Sequence, residues 1–364
     1  MKAKPLTSLS IRRPRRTRKY RMDLSGFACP NPRCAAHGQR GAGNLRIKDR
    51  YGKTEPRFRL VCRVCRKSFS ERRGTVLFHA KKSTPDITRL CRALVDGNGV
   101  RGAARVCEID KDTVGRYLRR LGPHAAAVNN AHCRDLQATE LQVDEAWTYV
   151  TKKQHNLTHA DRRDRPEWGD AWLYLAKDAA TKLIPAAMIG DRTQPDTSRF
   201  IDDLAGRFAS PFPLVTSDKL ENYREALRPL LVDHPYLQYV QIKGGHGSDV
   251  DVIYGRREVV NAVMAASPVS NVPNTSAVEA MFGNVRLGNR RMQRKLNGVS
   301  KKREMLWHQI ALYCAWYNFC KPHKSLRRAL PNPNGKRWEP RTPAMAAGLV
   351  ERPWTMADLL TAGA

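Results

Sequence analysis

The sequence predicts a multidomain chain: two small N-terminal modules, one β and one α, ahead of a larger mixed α/β layer. Three observations predict it. Four cysteines fall in two close pairs near the N-terminus, Cys29 with Cys34 and Cys62 with Cys65. Positive charge is concentrated in front: residues 1–124 hold 32 Lys and Arg against 9 Asp and Glu, and the other 240 residues hold 33 against 25. Beyond residue 139, apolar strand-like runs alternate with amphipathic helical ones, the pattern of a mixed sheet covered by helices.

A chain of 364 residues with 41% hydrophobic side chains supports two or three packed cores. It lacks an apolar run of about 18 residues, so no membrane span is expected. The basic N-terminus lacks an apolar core region, so no secretory signal is expected. Nine cysteines, an odd number, point to reduced thiols or metal ligands rather than disulfides. The net charge of +31 calls for a polyanion, with nucleic acid ahead of a ribosomal or membrane-surface role.

Residues 1–22 read as a basic arm. Seven of the ten residues from Arg12 to Arg21 are Lys or Arg, a run suited to phosphates or a minor groove. Residues 23–80 read as a ribbon. Cys29 and Cys34 are separated by four residues and Cys62 and Cys65 by two, with 27 residues between the pairs. Two such knuckles suit one structural zinc held by four thiolates. The β-type stretch Gly41 to Leu60 with its turn at Tyr51-Gly52-Lys53 suggests a zinc ribbon, and His37 is an alternative ligand to Cys34. Metal would help fold a region too small and polar to hold a core alone.

Residues 81–122 read as three short helices. Thr84-Pro85 caps and starts the first, with Ile87, Leu90, Cys91 and Leu94 on one face. The second spans about Val100 to Val106 and carries Arg101. The third begins near Asp110 with Val114, Tyr117, Leu118 and Leu121 inward and Lys111, Thr113, Arg116, Arg119 and Arg120 outward. This is a helix-turn-helix pattern whose last helix would enter a major groove; the competing reading is a generic bundle with solvated basic faces. Gly122-Pro123 should end it, leaving a helical linker over 123–138.

Residues 139–330 carry the chemistry. Leu141 to Val150 reads as a buried strand interrupted by Asp144 and Glu145. A carboxylate there is costly unless a cation or hydrogen bonds compensate it. Trp172 to Ala176 and Ile184 to Ile189 read as further strands, Thr197 to Phe208 as a helix, and Pro213 to Asp218 as a fourth strand ending in an acid. A helix near Leu220 to Leu231 and a fifth strand, Tyr239 to Ile242, follow. Asp218-Lys-Leu-Glu221 and Ser276-Ala-Val-Glu279 both match capping boxes, which competes with a catalytic role for Asp218 and Glu279. From Ser276 onward a helix carries Glu279, Arg286 and Arg290 along one side, an arrangement suited to a metal-binding carboxylate flanked by phosphate-holding cations. Met305 to Phe319 reads as an amphipathic helix. The tail, 331–364, is Pro-rich and ends in a short helix at Trp354 to Leu360.

These residues carry a resemblance. Val143-Asp144-Glu145-Ala146-Trp147, Thr216-Ser217-Asp218, Glu279 with Arg286 seven residues on, and Tyr317-Asn-Phe-Cys-Lys-Pro-His-Lys-Ser-Leu326 together look like a DDE transposase of a bacterial insertion sequence. With a cysteine ribbon and helix-turn-helix in front, the chain most resembles the insertion-sequence-one family, here as one continuous chain rather than two frames joined by frameshifting. Thr342-Pro-Ala-Met-Ala-Ala-Gly348 resembles a tail common after such domains. Asp218 and Glu279 stand 61 positions apart, longer than the group's usual spacing. An insertion over Lys243 to Asn274 would account for it, and Asp249 and Asp251 are the fallback acids.

The resemblance implies an RNase H-like catalytic domain in which Asp144, Asp218 and Glu279 hold two Mg²⁺ or Mn²⁺ ions. Asp144 would bridge them, Glu145 would be an outward neighbour, and Arg286 would contact phosphate or terminal bases. His246 and His323 are possible assistants. The implied activity is cleavage at the element's end to free a 3′-hydroxyl, followed by its attack on target DNA. The implied partners are double-stranded DNA, both element ends and target, and a second copy of the chain, as a homodimer or larger assembly. The implied location is a bacterial cytoplasm, at the nucleoid. Two readings compete: a DNA-binding regulator on a retired core, and a metal-dependent nuclease that cuts without joining.

Overall fold

A computed structural model describes residues 22–52, 55–209, 211–243, 249–293, 298–331, 335 and 337–363. The basic arm, except Met22, and His246 lie outside the described residues. The chain packs into two compact units, Met1–Arg73 and Gly74–Ala364.

The first unit is a three-stranded antiparallel sheet in the order β1-β2-β3, with β1 Leu45–Tyr51, β2 Arg57–Cys62 and β3 Ser68–Ser70. Its core is slight: Cys29, Cys34, Ala36, Leu45, Leu60, Cys62 and Phe69. Val76, Leu77 and Ala80 lie in the core of the second unit. Their apolar side chains find more area to bury against the helices that follow.

The second unit opens with α1 Thr84–Val95, α2 Val100–Cys107 and α3 Lys111–His132. Ser83, not Thr84, caps α1, accepting from the amide of Asp86; Asp110 caps α3. Ile87, Leu90, Cys91 and Leu94 are buried as the periodicity requires, as are Val114, Tyr117, Leu118 and Leu121. The expected stop at Gly122-Pro123 does not occur: Pro123 lies inside α3, which continues through the linker. Packing explains the overrun. A Cβ at Gly122 would lie 2.3 Å from the Cβ of His308, so glycine lets a later helix approach closely and the contact offsets the lost amide of Pro123.

Then come β4 Glu140–Val150, a short α4 His159–Asp164, β5 Gly169–Asp178, β6 Ala187–Gly190, α5 Gln194–Ala205, β7 Leu214–Asp218, α6 Glu221–Leu227 and β8 Tyr239–Ile242. The stretch read as an insertion holds two further elements, β9 Val250–Tyr254 and α7 Arg257–Ala266. After it stand α8 Ser276–Gly288 and α9 Arg303–Phe319; a ribbon of β10 Arg328–Ala329 and β11 Trp338–Glu339 and the short helices α10 Pro343–Ala346 and α11 Met356–Thr361 complete the chain. No helix among the described residues is long and apolar enough to cross a membrane.

The six strands form one mixed sheet in the order β6-β5-β4-β7-β8-β9. β4, β5 and β6 are antiparallel neighbours, β7 is parallel to β4, β8 is parallel to β7, and β9 returns antiparallel. Strand alternation sends Leu141 and Val143 to one face, where Phe200, Leu204, Tyr223 and Leu227 from α5 and α6 cover them. Ala146 and Val150 face the other side, in a core that includes α8, α9 and the three N-terminal helices of the unit. The central strand is therefore covered on both faces.

Candidate metal centre and nucleic-acid interface

Register brings the acids together. Gln142 on β4 pairs with Thr216 on β7. Two residues further along these parallel strands, on the same side as that pair, come Asp144 and Asp218. Carboxylate oxygens of Asp144, Glu145 and Asp218 all lie within 4.8 Å of one another. The Asp144 carboxylate accepts the amide of Glu145 at 2.7 Å, and Asp218 accepts the amide of Leu220 at 3.2 Å. Such a cluster could hold divalent metal.

Glu145 does not point outward. Its side chain is 1% exposed, and it accepts from Arg192 Nε at 2.6 Å and from the Tyr223 hydroxyl at 3.0 Å. Arg192 also reaches Asp218 at 3.8 Å and stacks over Trp172, 4.8 Å from the ring centre. The guanidinium thus lies between two of the three acids. Arg192 and Tyr223 carry no local motif; their partners are 47 and 78 residues away.

Neither capping box forms. α6 follows Leu220 with no side-chain cap, which leaves Asp218 facing the cluster. The N-cap of α8 is Thr275, also without a side-chain cap. Gln142, fully buried on β4, does that work instead: its carbonyl oxygen accepts the amides of Ala277 at 2.8 Å and Val278 at 3.2 Å. One side chain therefore ties the first turn of α8 to the strand that bears Asp144. Glu279 on that turn is exposed and accepts from the Thr275 hydroxyl at 2.6 Å. It stands outside the three-acid cluster, though its charge acts on Asp144. Arg286 lies two turns further along α8. Asp249 and Asp251 are held by Lys219 at 3.2 and 2.6 Å, apart from the cluster. His323 bonds to the Ser325 hydroxyl at 2.9 Å.

Burial raises the pKa of Asp144 to about 7; the Glu145 amide opposes this, and the charges of Glu145, Asp218 and Glu279 add to it. Burial also raises Glu145, helped by Asp218 and opposed by Arg192 and Tyr223. The sign for stability follows. Asp144 is a weaker acid folded than unfolded, so the folded state loses stability as pH rises from about 4 to about 7 and stays at that deficit above. The deficit is on the order of 4 kcal/mol. In EDTA, Asp144→Asn should therefore melt above the wild type by a margin that is wider at pH 8 than at pH 5. Equal margins at the two pH values would remove this account of Asp144.

In the first unit, the Cys29 and Cys65 sulfurs lie 3.7 Å apart and those of Cys34 and Cys62 3.8 Å apart. Four sulfurs about 2.3 Å from a tetrahedral zinc stand about 3.8 Å from each other, so the cluster fits the ion it could hold. His37 is not part of it.

Of the basic residues expected to face DNA, Arg101, Lys111, Arg116 and Arg119 are exposed, and so is Arg290. Thr113 accepts from Arg116 at 2.7 Å. The Arg120 guanidinium donates to the carbonyls of Val76 and Phe78 and ties α3 to the preceding turn.

No family model matches the sequence, and no curated protein matches it. Among solved structures the chain is similar to the piggyBac transposase synaptic complex with hairpin DNA, at 11% identity and a TM-score of 0.35 over 66% of this chain and 68% of that one. It is also similar to the Mos1 strand transfer complex, at 12% identity and a TM-score of 0.21 over 65% and 77%, and to a pre-cleavage Mos1 transpososome, at 11% and 0.19 over 65% and 79%.

Proposed function

We propose that this chain is a DDE-type transposase of the insertion-sequence-one kind, which binds the ends of its element and catalyses phosphodiester cleavage and strand transfer. The observation that carries this reading is the meeting of Asp144, Glu145 and Asp218 just past the last parallel pair of β4 and β7, Gln142 with Thr216. The strand order supports it as well: three antiparallel strands, then two more on the far side of the first and parallel to it, is what an RNase H-like core requires.

Asp144 and Asp218 are the metal-holding residues of the proposal, with Glu279 joining them from α8. Bound Mg²⁺ or Mn²⁺, two per site, would supply an activated water or 3′-hydroxyl and neutralise charge on the leaving oxygen. The chain's own contribution is positioning and charge. Gln142 holds the Glu279 turn against the Asp144 strand, Arg192 and Tyr223 fix Glu145, and Asp144 would hold the cations as a carboxylate, its proton released to solvent. Arg286 and Arg290 would hold backbone phosphate. In the ribbon, Cys29, Cys34, Cys62 and Cys65 would hold one structural zinc. Arg101, Lys111, Thr113, Arg116 and Arg119 would serve the helix-turn-helix on element ends. Joining two ends to a target calls for at least a homodimer, working at a bacterial nucleoid in the cytoplasm.

The test is incubation of the purified protein with Mg²⁺ and supercoiled plasmid bearing the native element ends. Nicked plasmid together with products joined to a second duplex is the expected result. Cutting without joining would make the chain a nuclease, and binding without cutting in Mg²⁺ or Mn²⁺ would make it a regulator; either result ends the transposase reading.

A further inference from the structure

The motif from Tyr317 to Leu326 adds nothing to the carboxylate cluster, yet it gathers positive charge inside the second unit. Lys177 stands on β5 opposite Gln142 of β4 and is 4% exposed. Its ammonium donates to the carbonyl of Ala277 at 3.2 Å and lies 5.7 Å from the centre of the Tyr317 ring. Lys321 lies 5.9 Å from the same ring and 5.3 Å from that of Trp316. His323 meets Tyr317 edge-on at 6.5 Å. Lys182 is close enough to act on both Lys177 and His323. Lysine ion pairs among the described residues involve Lys152 and Lys219, not these three. The acids that act on the group are Asp96, on Lys321, and Asp178 and Glu140, on Lys182.

Two features suit the group to an anion. The Tyr317 hydroxyl is buried and has no hydrogen-bond partner among the described residues. A buried ammonium without a counter-charge is costly, so a chain that keeps one has left room for a negative ligand. Lysine ammonium groups donate and cannot accept, which suits an oxyanion and excludes a cation. Lys182, Lys321 and His323 are only partly buried, so the group can be reached. Its position is also suggestive. Asp144 pairs with Leu175 and Gln142 with Lys177, which makes Asp144 and Lys177 diagonal neighbours on one face, about 7–8 Å apart.

We propose that Lys177, Lys321 and His323, grouped around Tyr317, together with Lys182 near Lys177 and His323, form a phosphate-binding pocket that takes a backbone phosphate of the DNA engaged by the neighbouring carboxylates. The DNA assignment rests on the transposase reading; the phosphate pocket itself does not.

The test uses the full chain and the variants Lys177→Met and Lys321→Gln, in EDTA. The first probe is inorganic phosphate, at constant ionic strength. It should raise the Tm of the wild type and leave that of Lys177→Met unmoved. The second is duplex DNA titrated across salt concentrations. Each variant should bind about tenfold more weakly at low salt, with a salt slope shallower by about 1, the loss of one phosphate contact. Lys177→Met should also melt higher than the wild type, because a buried charge has gone. A lower Tm with an unchanged slope would make Lys177 a structural lysine and overturn the pocket. Unchanged slopes in both variants would overturn the DNA contact. A wild type that binds no duplex would defeat the transposase reading instead, and the phosphate probe would then decide the pocket alone.

Discussion

Asp144→Asn and Asp218→Asn are each expected to lower Mg²⁺-dependent nicking and joining by at least about a thousandfold, a barrier increase of about 4 kcal/mol. The two side chains stand at matching positions on neighbouring parallel strands, and each offers an oxygen to the same small volume. A neutral amide keeps the shape and removes the charge that would hold a divalent ion. DNA binding in EDTA should be unchanged or tighter, since a negative charge near the phosphates has gone. That separates lost chemistry from lost folding.

The two glutamates divide the question further. Glu279→Gln is expected to fall by at least about a hundredfold, because in the proposed function its carboxylate would join Asp144 and Asp218 in holding the cations. Glu145→Gln is expected to fall only about tenfold, because Glu145 already serves Arg192 and Tyr223. The reverse order, with Glu145→Gln inactive and Glu279→Gln near wild type, would make Glu145 the third metal ligand. Full activity in the Asp218 variant would remove Asp218 from the site altogether.

The reach of the sequence can be judged residue by residue. Tyr239 to Ile242 was legible as a strand residue for residue, and the acid at the end of Leu214–Asp218 was legible as a strand-end carboxylate. The direction of Glu145 was not. Period-two alternation puts neighbouring residues on opposite faces, so one of Asp144 and Glu145 must leave the acid's own face. With one buried face the other residue would meet water. Here α5 and α6 cover the second face, and no outward side exists. Local patterns also misjudged the caps. A capping box requires a helix that begins where the motif says, but Gln142 caps α8 from a strand 135 residues away. The run of α3 through Pro123 and the strand and helix inside 243–274 were hidden for a related reason. Glycine and proline mark breaks only until tertiary packing outweighs their local cost.

Removal of zinc is expected to unfold the first unit and leave the second standing. Of the seven buried residues in the small core, three are Cys29, Cys34 and Cys62, which the proposed zinc would bind, so the remaining apolar area cannot hold the sheet by itself. Structural zinc contributes about 10–16 kcal/mol of apparent binding energy in small modules, as much as the whole stability of an ordinary domain, about 5–15 kcal/mol. The thiols differ in readiness. Burial raises Cys29 to about 12, whereas the Lys67 amide and the Asn31 side chain lower Cys65 to about 6. The ion must displace protons, and acid should release it. A strong chelator, or Cys62→Ser, should therefore abolish hydrogen-exchange protection across β1 to β3. The second unit has its own core and should keep its protection and its melting transition. Binding to element ends should weaken if the ribbon contacts phosphate, as its arginines at 57, 59, 63 and 66 suggest. One zinc per chain by native mass spectrometry is the matching stoichiometry. Protection that survives chelation, or folded protein that carries no zinc, would make the four cysteines ordinary core residues.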